Sequence, residues 1–282
     1  MIFPSLDRVK AIAPGYDIVP VYMEILSDVR TPISVLKALK QVSSHTYLLE
    51  SADNSNHWGR YSFLGYDPKI ELFCKNHKMT IKDGTTRTFE CSDPAVEIRN
   101  ILSQYKSPRL EELPTFTGGF VGYFACEYIR YIEPTLDFPT PDDDSAMVND
   151  VDLMLFDKVI AFDHYKNKIY LIANISTNDL ERNYNKAELE LKALADLVVN
   201  GKEADVPKGI LKTEFTSEFT KDEFEEVVKK TQHYIKEGDI FQCVVSNRRE
   251  ADFEGSLLNA YRVLRTSVSY THLRAHETGR NL

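Results

Sequence analysis

The most regular pattern of apolar and polar residues lies in residues 220–248. Thr220 followed by Glu223 forms a capping-box sequence, and Gly238 is of the residue type that commonly follows the last turn of a helix. Between them, one set of positions recurs at helical spacing. Those positions are Phe224, Val227, Val228, Thr231, Tyr234 and Ile235. The pattern predicts a helix with one apolar face that ends at Gly238.

A strand is predicted directly after this helix. Within Ile240–Ser246, alternate side chains point to opposite sides, and apolar residues fall on both. Gln242 shares one side with Val244, whereas Phe241 and Val245 lie on the other. The sequence therefore predicts a strand that is buried on both faces, in the centre of a sheet.

Residues 1–200 alternate short strand patterns with short helix patterns. Thr31-Pro32 and Asp93-Pro94 each place a capping residue before a proline, which predicts two helix starts. Asp83-Gly84 and Lys166-Asn167 predict hairpin turns. The predicted strands are residues 19–26, 45–50, 61–65, 78–82, 85–90, 159–165 and 168–173. Hairpins rather than βαβ units indicate the α+β fold class, with antiparallel sheets and packed helices.

A long helix pattern leads to the best candidate for a domain boundary. It begins near Asp179 and ends at Gly201, with apolar residues on one face. Those residues are Leu180, Tyr184, Ala187, Leu191, Leu194 and Val198. Glycine and proline then cluster in residues 201–213, which predicts a linker. The prediction is thus a first domain of residues 1–200, the linker, and a second domain of residues 214–267.

Composition and charge exclude several classes of protein. The 282 residues are 43% hydrophobic, which suffices for a sizeable core, and the net charge of −9 gives no indication of nucleic-acid binding. No apolar run reaches the roughly 20 residues of a membrane span, and the first residues lack the basic start of a signal peptide, so a cytoplasmic protein is expected. The four cysteines form no Cys-x-x-Cys pair, which argues against a zinc site.

Three polar or glycine-rich stretches resemble functional motifs but lack the required spacing. Thr117–Tyr123 fits no phosphate-binding pattern, so we interpret its glycines as strand residues at a close backbone approach. The acidic run 139–145 lacks spaced partners for a metal ion and is interpreted as a solvated loop. Asp163-His164 has no nucleophile motif to act with, so a structural role is expected.

Glu237–Arg248 resembles the beginning of the chorismate-binding core in the anthranilate synthase component I family. Cys243 and Asn247 stand where that family usually has Val and Gln. Thr117–Tyr123 and Leu155–His164 resemble two further motifs of the same family, in the same order. The resemblance implies that the chain is the N-terminal part of that fold, truncated, and that its second domain starts the chorismate-binding core.

The resemblance also implies an activity. Members of this family convert chorismate and ammonia to anthranilate and pyruvate, the first step of tryptophan biosynthesis. A glutamine amidotransferase subunit supplies the ammonia from glutamine, and Mg²⁺ holds the chorismate. The resemblance covers residues 1 to about 266, and the family's catalytic and magnesium-binding groups belong to the other half. No catalytic residue and no metal ligand are therefore expected here, and the chain by itself is predicted to be inactive.

Tyr47–Ser51, followed by Gly59–Pro68, resembles the first part of the family's regulatory site, where L-tryptophan binds and inhibits. A site for free tryptophan needs an acceptor for the ammonium group, a cation or N–H groups for the carboxylate, and an apolar slot for the indole. The resemblance assigns Glu50 and Ser51 to the ammonium group and Arg60 to the carboxylate. From the pattern alone, the alternative is a strand that ends in a polar turn.

Gln242 is relevant to which nucleophile, ammonia or water, would attack chorismate. Isochorismate and salicylate synthases resemble this segment but carry a lysine at the matching position, which activates water. An amide cannot take up that proton at neutral pH, so Gln242, near the chorismate site by resemblance, indicates ammonia instead. From the pattern alone it is a polar residue on a strand edge. Two alternative functions remain: aminodeoxychorismate synthase component I of folate synthesis, which also uses ammonia, and a non-catalytic protein that binds tryptophan.

Residues 268–282 do not resemble the family's continuation. The sequence VSYTHLRAHET resembles one reading frame of a sequencing adapter, so we treat these residues as a non-native tail outside the fold. The alternative is a natural polar tail, in which His272 and His276 would be available as metal ligands.

Overall fold

The structure is a computed structural model that describes residues 1–50, 59–133, 135 and 148–267. The chain divides into two compact units, which we call the N-terminal unit (Met1–Ala204) and the C-terminal unit (Asp205–Leu282). The division falls within the stretch predicted to be a linker. The assignment of the two parts as a family N-terminal region and a chorismate-binding core stays a prediction.

The N-terminal unit contains two five-stranded sheets in which every strand pair is antiparallel. The strands are β1 (Ile18–Leu26), β2 (Thr46–Leu49), β3 (Tyr61–Tyr66), β4 (Ile70–Lys75), β5 (Lys78–Lys82), β6 (Thr86–Glu90), β7 (Gly119–Phe124), β8 (Val151–Phe156), β9 (Lys158–Asp163) and β10 (Lys168–Ser176). One sheet has the order β1-β10-β9-β3-β2 and the other β6-β5-β4-β8-β7. The α+β fold class with antiparallel sheets is confirmed.

In the N-terminal unit, α5 (Leu180–Asn200) packs against β10 and β1 of the first sheet and α2 (Pro32–Leu39) packs against β2. By contrast, α3 (Pro94–Leu102) places Ile101 in the core of the second sheet. The helices are α1 (Leu6–Ile12), α2 (Pro32–Leu39), α3 (Pro94–Leu102), α4 (Ile129–Ile132) and α5 (Leu180–Asn200). Both predicted proline starts are confirmed, because Thr31 and Asp93 each accept a backbone N–H of the first turn. In α5, the predicted apolar face is buried from Tyr184 to Val198.

The C-terminal unit contains two helices and two pairs of very short strands. The elements are β11 (Ile210–Leu211), β12 (Thr216–Ser217), α6 (Lys221–Glu237), β13 (Arg249–Glu250), β14 (Phe253–Glu254) and α7 (Leu258–Ser267). β11 pairs with β14, and β12 pairs with β13. The capping box of Thr220 and Glu223 is confirmed at the start of α6, and Gly238 follows the helix with φ of 87°.

The central strand predicted for Ile240–Ser246 is wrong. These residues run without regular secondary structure between α6 and β13, and Phe241 and Val244 are 94% and 84% exposed. The apolar face of α6 is not covered either, since none of its residues is fully buried. A strand needs neighbours for its backbone groups and for both faces. The described part of the C-terminal unit offers only two-residue strands, so the apolar pattern has nothing to pair with.

Several elements were not predicted from the sequence: the helices α1, α4 and α7 and the strands β4, β8 and β11 to β14. The alternation in β4 puts Ile70, Leu72 and Cys74 in the core, while Glu71 and Phe73 between them are only partly buried. β4 and β8 are adjacent in the second sheet, and their inward residues form its core. No helix in the described ranges is long and apolar enough to cross a membrane.

Candidate ligand-binding site

An ion pair between Arg60 and Asp163 joins the start of β3 to the end of β9. Nε of Arg60 donates to Oδ1 of Asp163 at 3.0 Å, and the second contact, from Nη2 to Oδ2, is 2.7 Å. The Asp163 side chain is completely buried. The backbone N–H groups of Tyr165 and Lys166 also donate to Oδ1, at 3.1 and 3.0 Å. The carboxylate is thus fully supplied with hydrogen bonds where the β9–β10 hairpin turns.

Electrostatics favour the charged form of both partners. Burial by itself raises the pKa of Asp163, but hydrogen bonds from Arg60 and the turn N–H groups outweigh it, and the pKa is lowered. The same hydrogen bond raises the pKa of Arg60. The guanidinium also lies 4.8 Å from the ring centroid of Tyr61 and 5.5 Å from that of Tyr165. Arg60 is therefore held in a defined position at the sheet edge.

Glu50 and Arg60 lie at the same end of neighbouring strands. Glu50 directly follows β2, an edge strand whose Leu49 pairs with Phe63 of β3, and Arg60 directly precedes β3. Ser51 lies outside the described residues. Nε and Nη2 of Arg60 donate to Asp163. A ligand carboxylate would therefore bind the remaining N–H groups of the guanidinium. The assignment of Glu50, Ser51 and Arg60 to tryptophan stays a prediction.

Tyr47 contributes an unusual polar atom to the same segment. Its hydroxyl is buried and has no hydrogen-bond partner in the described part of the protein, and burial raises its pKa. The ring packs edge-on against Phe156, with centroids 4.7 Å apart. A buried hydroxyl without a partner costs stability, and a bound ligand could supply the missing hydrogen bond.

Ser62 and His164 lie beside the ion pair, but they do not form a catalytic triad with Asp163. The Ser62 hydroxyl is 2.7 Å from Nε2 of His164, while the His164 backbone N–H donates to the Arg60 carbonyl at 2.9 Å. The hydrogen bonds to Asp163 come from Arg60 and the turn, not from the imidazole. The structural interpretation of Asp163-His164 fits this geometry.

Gln242 lies in the irregular segment that follows α6 and is exposed. The far end of that segment is fixed by Asn247, whose side-chain amide donates to the Phe219 carbonyl at 2.9 Å and accepts the Phe219 N–H at 3.1 Å. Asn247 thus ties this segment to the residue before the α6 N-cap. The structure does not surround Gln242 with a site in the C-terminal unit, and its place near chorismate stays a prediction.

The glycine-rich stretch Thr117–Tyr123 forms the start of β7. A Cβ at Gly122, whose φ is 159°, would lie 1.9 Å from the Asp152 carbonyl oxygen in β8. A Cβ at Gly118 would lie 2.9 Å from the Phe156 carbonyl oxygen in β8 and 2.5 Å from Nδ2 of Asn174. Close backbone approach therefore accounts for both glycines, as the sequence predicts.

Sequence reasoning missed a group of polar residues at a cavity of about 120 Å³ in the N-terminal unit. Asp157, Lys69 and Asn174 all line it. One signal was available: Asn174 interrupts an otherwise apolar strand, β10. A polar residue at such a position indicates a buried hydrogen-bonding role. The described residues contain no cluster of three or more His, Cys, Asp or Glu placed to hold a metal ion.

The architecture defines an α+β protein of two antiparallel sheets followed by a helical unit, and comparison with known proteins gives its family. The family described as chorismate binding enzyme matches residues 45–278, and the chain belongs to this family. That match ends inside the segment 268–282, which the sequence analysis set aside as a tail.

Individual relatives agree with the family match. The chain is 34% identical over 275 residues to anthranilate synthase component 1 of Acetivibrio thermocellus, covering 94% of this chain and 55% of the relative. It is 37% identical over 256 residues to anthranilate synthase component 1 of Acinetobacter calcoaceticus, covering 89% and 51%. The crystal structure of anthranilate synthase component I from Streptococcus pneumoniae TIGR4 matches with a TM-score of 0.55 and 27% identity, covering 86% of this chain and 52% of that one.

The resemblance to anthranilate synthase component I is thus confirmed. The chain spans about half the length of the curated relatives it matches.

Proposed function

We propose that this chain provides part of the large subunit of an anthranilate synthase, which converts chorismate and ammonia to anthranilate and pyruvate as the first step of tryptophan biosynthesis. The observation that carries the proposal is the identity to component 1 relatives over 94% of the chain, which includes both compact units. Gln242 supports ammonia as the nucleophile, because a glutamine amide is no base for activating water. We propose a cytoplasmic location for the enzyme.

The name component 1 supports a second subunit, and we propose a glutamine amidotransferase that delivers ammonia. We also propose Mg²⁺ as the ion that holds chorismate. The described residues do not fit a magnesium site, because they contain no cluster of carboxylates that converges on one point. We therefore expect the magnesium ligands in the half of the relatives that this chain does not span, and the chain by itself to be inactive.

Feedback inhibition by L-tryptophan belongs to the same proposal. Glu50 and Arg60 emerge at one end of β2 and β3, and Arg60 is fixed there by Asp163. The buried Tyr47 hydroxyl, which lacks a partner among the described residues, supports a ligand site in this segment. Ser51 would complete the acceptor set for the ammonium group.

A chimera tests the enzymatic proposal. Residues 1–267 of this chain are joined to the remaining C-terminal sequence of the Acetivibrio thermocellus relative. With chorismate, ammonium ions and Mg²⁺, we expect the chimera to form fluorescent anthranilate and an equal amount of pyruvate, whereas the 282-residue chain forms neither. Amination of chorismate without pyruvate release would support the folate-pathway alternative.

Tryptophan titration of the same two proteins tests the regulatory part. We expect tryptophan to inhibit the chimera. We expect no measurable binding to the chain alone, because the chain spans about half the length of its relatives and holds only part of the proposed tryptophan site. Tryptophan binding by the chain alone, together with an inactive chimera, would support a non-catalytic tryptophan-binding protein instead.

A further inference from the structure

A cavity of about 120 Å³ lies where the N-terminal unit passes from one sheet to the other. Phe156 ends β8 in the second sheet and Lys158 starts β9 in the first, so Asp157 is the one residue that links them. Lys69, which links β3 to β4, lies on the same cavity. Asn174 of β10 forms part of its wall. We call this the Asp157 cavity.

Asp157 is a partly buried carboxylate. Burial raises its pKa, although the neighbouring Lys158 and Lys69 act in the opposite direction. Within the described ranges it takes part in no ion pair, because Lys158 reaches Asp67 at 3.6 Å and lies 5.3 Å from the centroid of the Tyr66 ring. A carboxylate in such surroundings gains stability when a cation arrives beside it.

Lys69 supplies the opposite charge. Its Nζ lies 5.3 Å from the centroid of the Tyr105 ring, which also lines the cavity, and its backbone N–H donates to the Leu155 carbonyl at 2.7 Å. The main chain of Lys69 is therefore fixed while its ammonium group stays available. It forms no ion pair with any described residue. The cavity thus presents one anion and one cation that are not paired with each other.

Asn174 fixes part of the cavity wall. Its side-chain amide donates to the Thr117 carbonyl at 2.7 Å and to the Asp157 carbonyl at 3.1 Å, which uses both amide hydrogens. The amide oxygen is left as an acceptor. Because a Cβ at Gly118 would lie 2.5 Å from this amide, the glycine allows the wall to close. Binding here requires little reorganisation, which favours a small ligand of defined shape.

We propose that the Asp157 cavity binds a small zwitterionic amino acid, with its ammonium group at Asp157 and its carboxylate at Lys69. Size limits the ligand, because a cavity of roughly 150 Å³ accommodates benzene. About 120 Å³ therefore suits glycine, alanine or serine and is too small for tryptophan. The site is separate from the proposed effector residues Glu50 and Arg60, neither of which lines it.

Saturation-transfer NMR on the full 282-residue chain tests this, because the method tolerates large or associated proteins. Glycine, L-alanine and L-serine are titrated alongside two analogues, N-acetylglycine, which lacks the ammonium group, and glycinamide, which lacks the carboxylate. We expect at least one amino acid to bind and each analogue to bind at least tenfold more weakly. L-tryptophan should not compete.

Substitutions locate the signal. We expect Asp157→Asn and Lys69→Met each to weaken binding at least tenfold, whereas Asp28→Asn and Lys202→Met, at exposed positions of the same unit, leave it unchanged. Circular dichroism and melting curves establish that each variant is folded. Lys69 is exposed, so its variant keeps the test valid even if Asp157→Asn unfolds.

Three outcomes would overturn the proposal. One is the absence of saturation transfer to all three amino acids, and another is unchanged binding in the Lys69 variant. The third is equal binding of glycine and N-acetylglycine, which would reveal a site for anions only. None of these outcomes bears on the anthranilate synthase proposal, which is tested by product formation.

Discussion

At the scale of single residues, the Arg60–Asp163 pair has the least exposed side chain among the ion pairs of the described residues. Its carboxylate is completely buried, whereas 30% of the Arg60 side chain is exposed. Removing one partner of a buried pair leaves the other without compensation, which typically costs about 3–5 kcal/mol. The two partners differ in exposure, so the two substitutions should differ in their effects.

We expect Arg60→Met to lower the free energy of unfolding by about 3 kcal/mol, because it leaves Asp163 charged and buried. Asp163→Asn should cost less, about 1–3 kcal/mol, because Arg60 can reach solvent. Urea denaturation followed by circular dichroism measures both. Arg87→Met, which removes an exposed pair with Asp83, is the matched control and should change the value by less than about 0.5 kcal/mol. Equal effects of Arg60→Met and Arg87→Met would contradict the prediction.

The same pair gives a pH dependence of known sign. The pKa of Asp163 is lower in the folded protein, so its stabilisation is complete above about pH 4, the range of an unfolded carboxyl group. That stabilisation is lost as the pH falls through the lower folded pKa. We therefore expect the difference in urea midpoint between the wild type and Asp163→Asn to be constant from pH 7 to about pH 5 and to shrink below about pH 4. A difference that stays constant down to pH 2.5 would be inconsistent with the linkage.

At the scale of elements, the sequence correctly predicts those features that are stabilised by residues close to one another in the chain, such as helix starts. Thr220 and Glu223 satisfy each other's backbone donors, so the start of α6 could be predicted without tertiary information. Ile240–Ser246 carries an equally clear strand pattern, yet it forms no strand. A strand needs other strands to pair with, and the local pattern carries no information about them. The site shows the same limit. Glu50 could be proposed from its motif. Asp157 and Lys69, by contrast, line one cavity only because the chain passes from one sheet to the other at both residues.

The capping box offers a test at this scale. We expect Thr220→Ala to destabilise the start of α6 by about 1 kcal/mol, because the Glu223 N–H loses its acceptor. Hydrogen exchange of the amides in the first turn measures the effect as roughly a fivefold faster exchange. Lys230→Ala, an exposed change within the same helix, is the control and should leave the first turn unaffected. Unchanged exchange in Thr220→Ala would show that the cap does not contribute.

Glycine substitutions distinguish close approach from backbone conformation alone. Gly122→Ala places a Cβ against the β8 backbone at a φ of 159°, and we expect a loss of more than about 3 kcal/mol or failure to fold. Gly84→Ala also has a positive φ, of 95°, but nothing within 4 Å of the added Cβ. It should cost about 1 kcal/mol, so its thermal melt should be close to that of the wild type. If the Gly122→Ala protein were as stable as the Gly84→Ala protein, the close approach of β7 to β8 at Gly122 would not be what requires glycine there.

At the scale of the whole molecule, the two units differ in how completely they bury their apolar residues. The N-terminal unit has continuous cores on its sheets, formed around residues such as Leu72 and Ile172. In the C-terminal unit, α6 has no fully buried residue, and apolar side chains are exposed on α6, along the following segment, just before α7 and on α7. These side chains are Tyr234, Ile235, Phe241, Val244, Leu257, Val263 and Leu264. Exposed apolar groups in this number favour association.

We therefore expect the chain to self-associate at micromolar concentration through its C-terminal unit. Light scattering coupled to size-exclusion chromatography should give a mass above the 32.3 kDa of the monomer, increasing with concentration. Phe241→Ser combined with Val244→Ser should lower the apparent mass, because these two side chains are 94% and 84% exposed and make no contribution to a core. Leu26→Ser, which is 63% exposed in the N-terminal unit, is the control and should not change it. A wild-type chain that stays monomeric at all concentrations would contradict this prediction. It would mean that these residues behave as isolated exposed apolar side chains, which are common on stable monomers, and not as a contiguous patch that drives association.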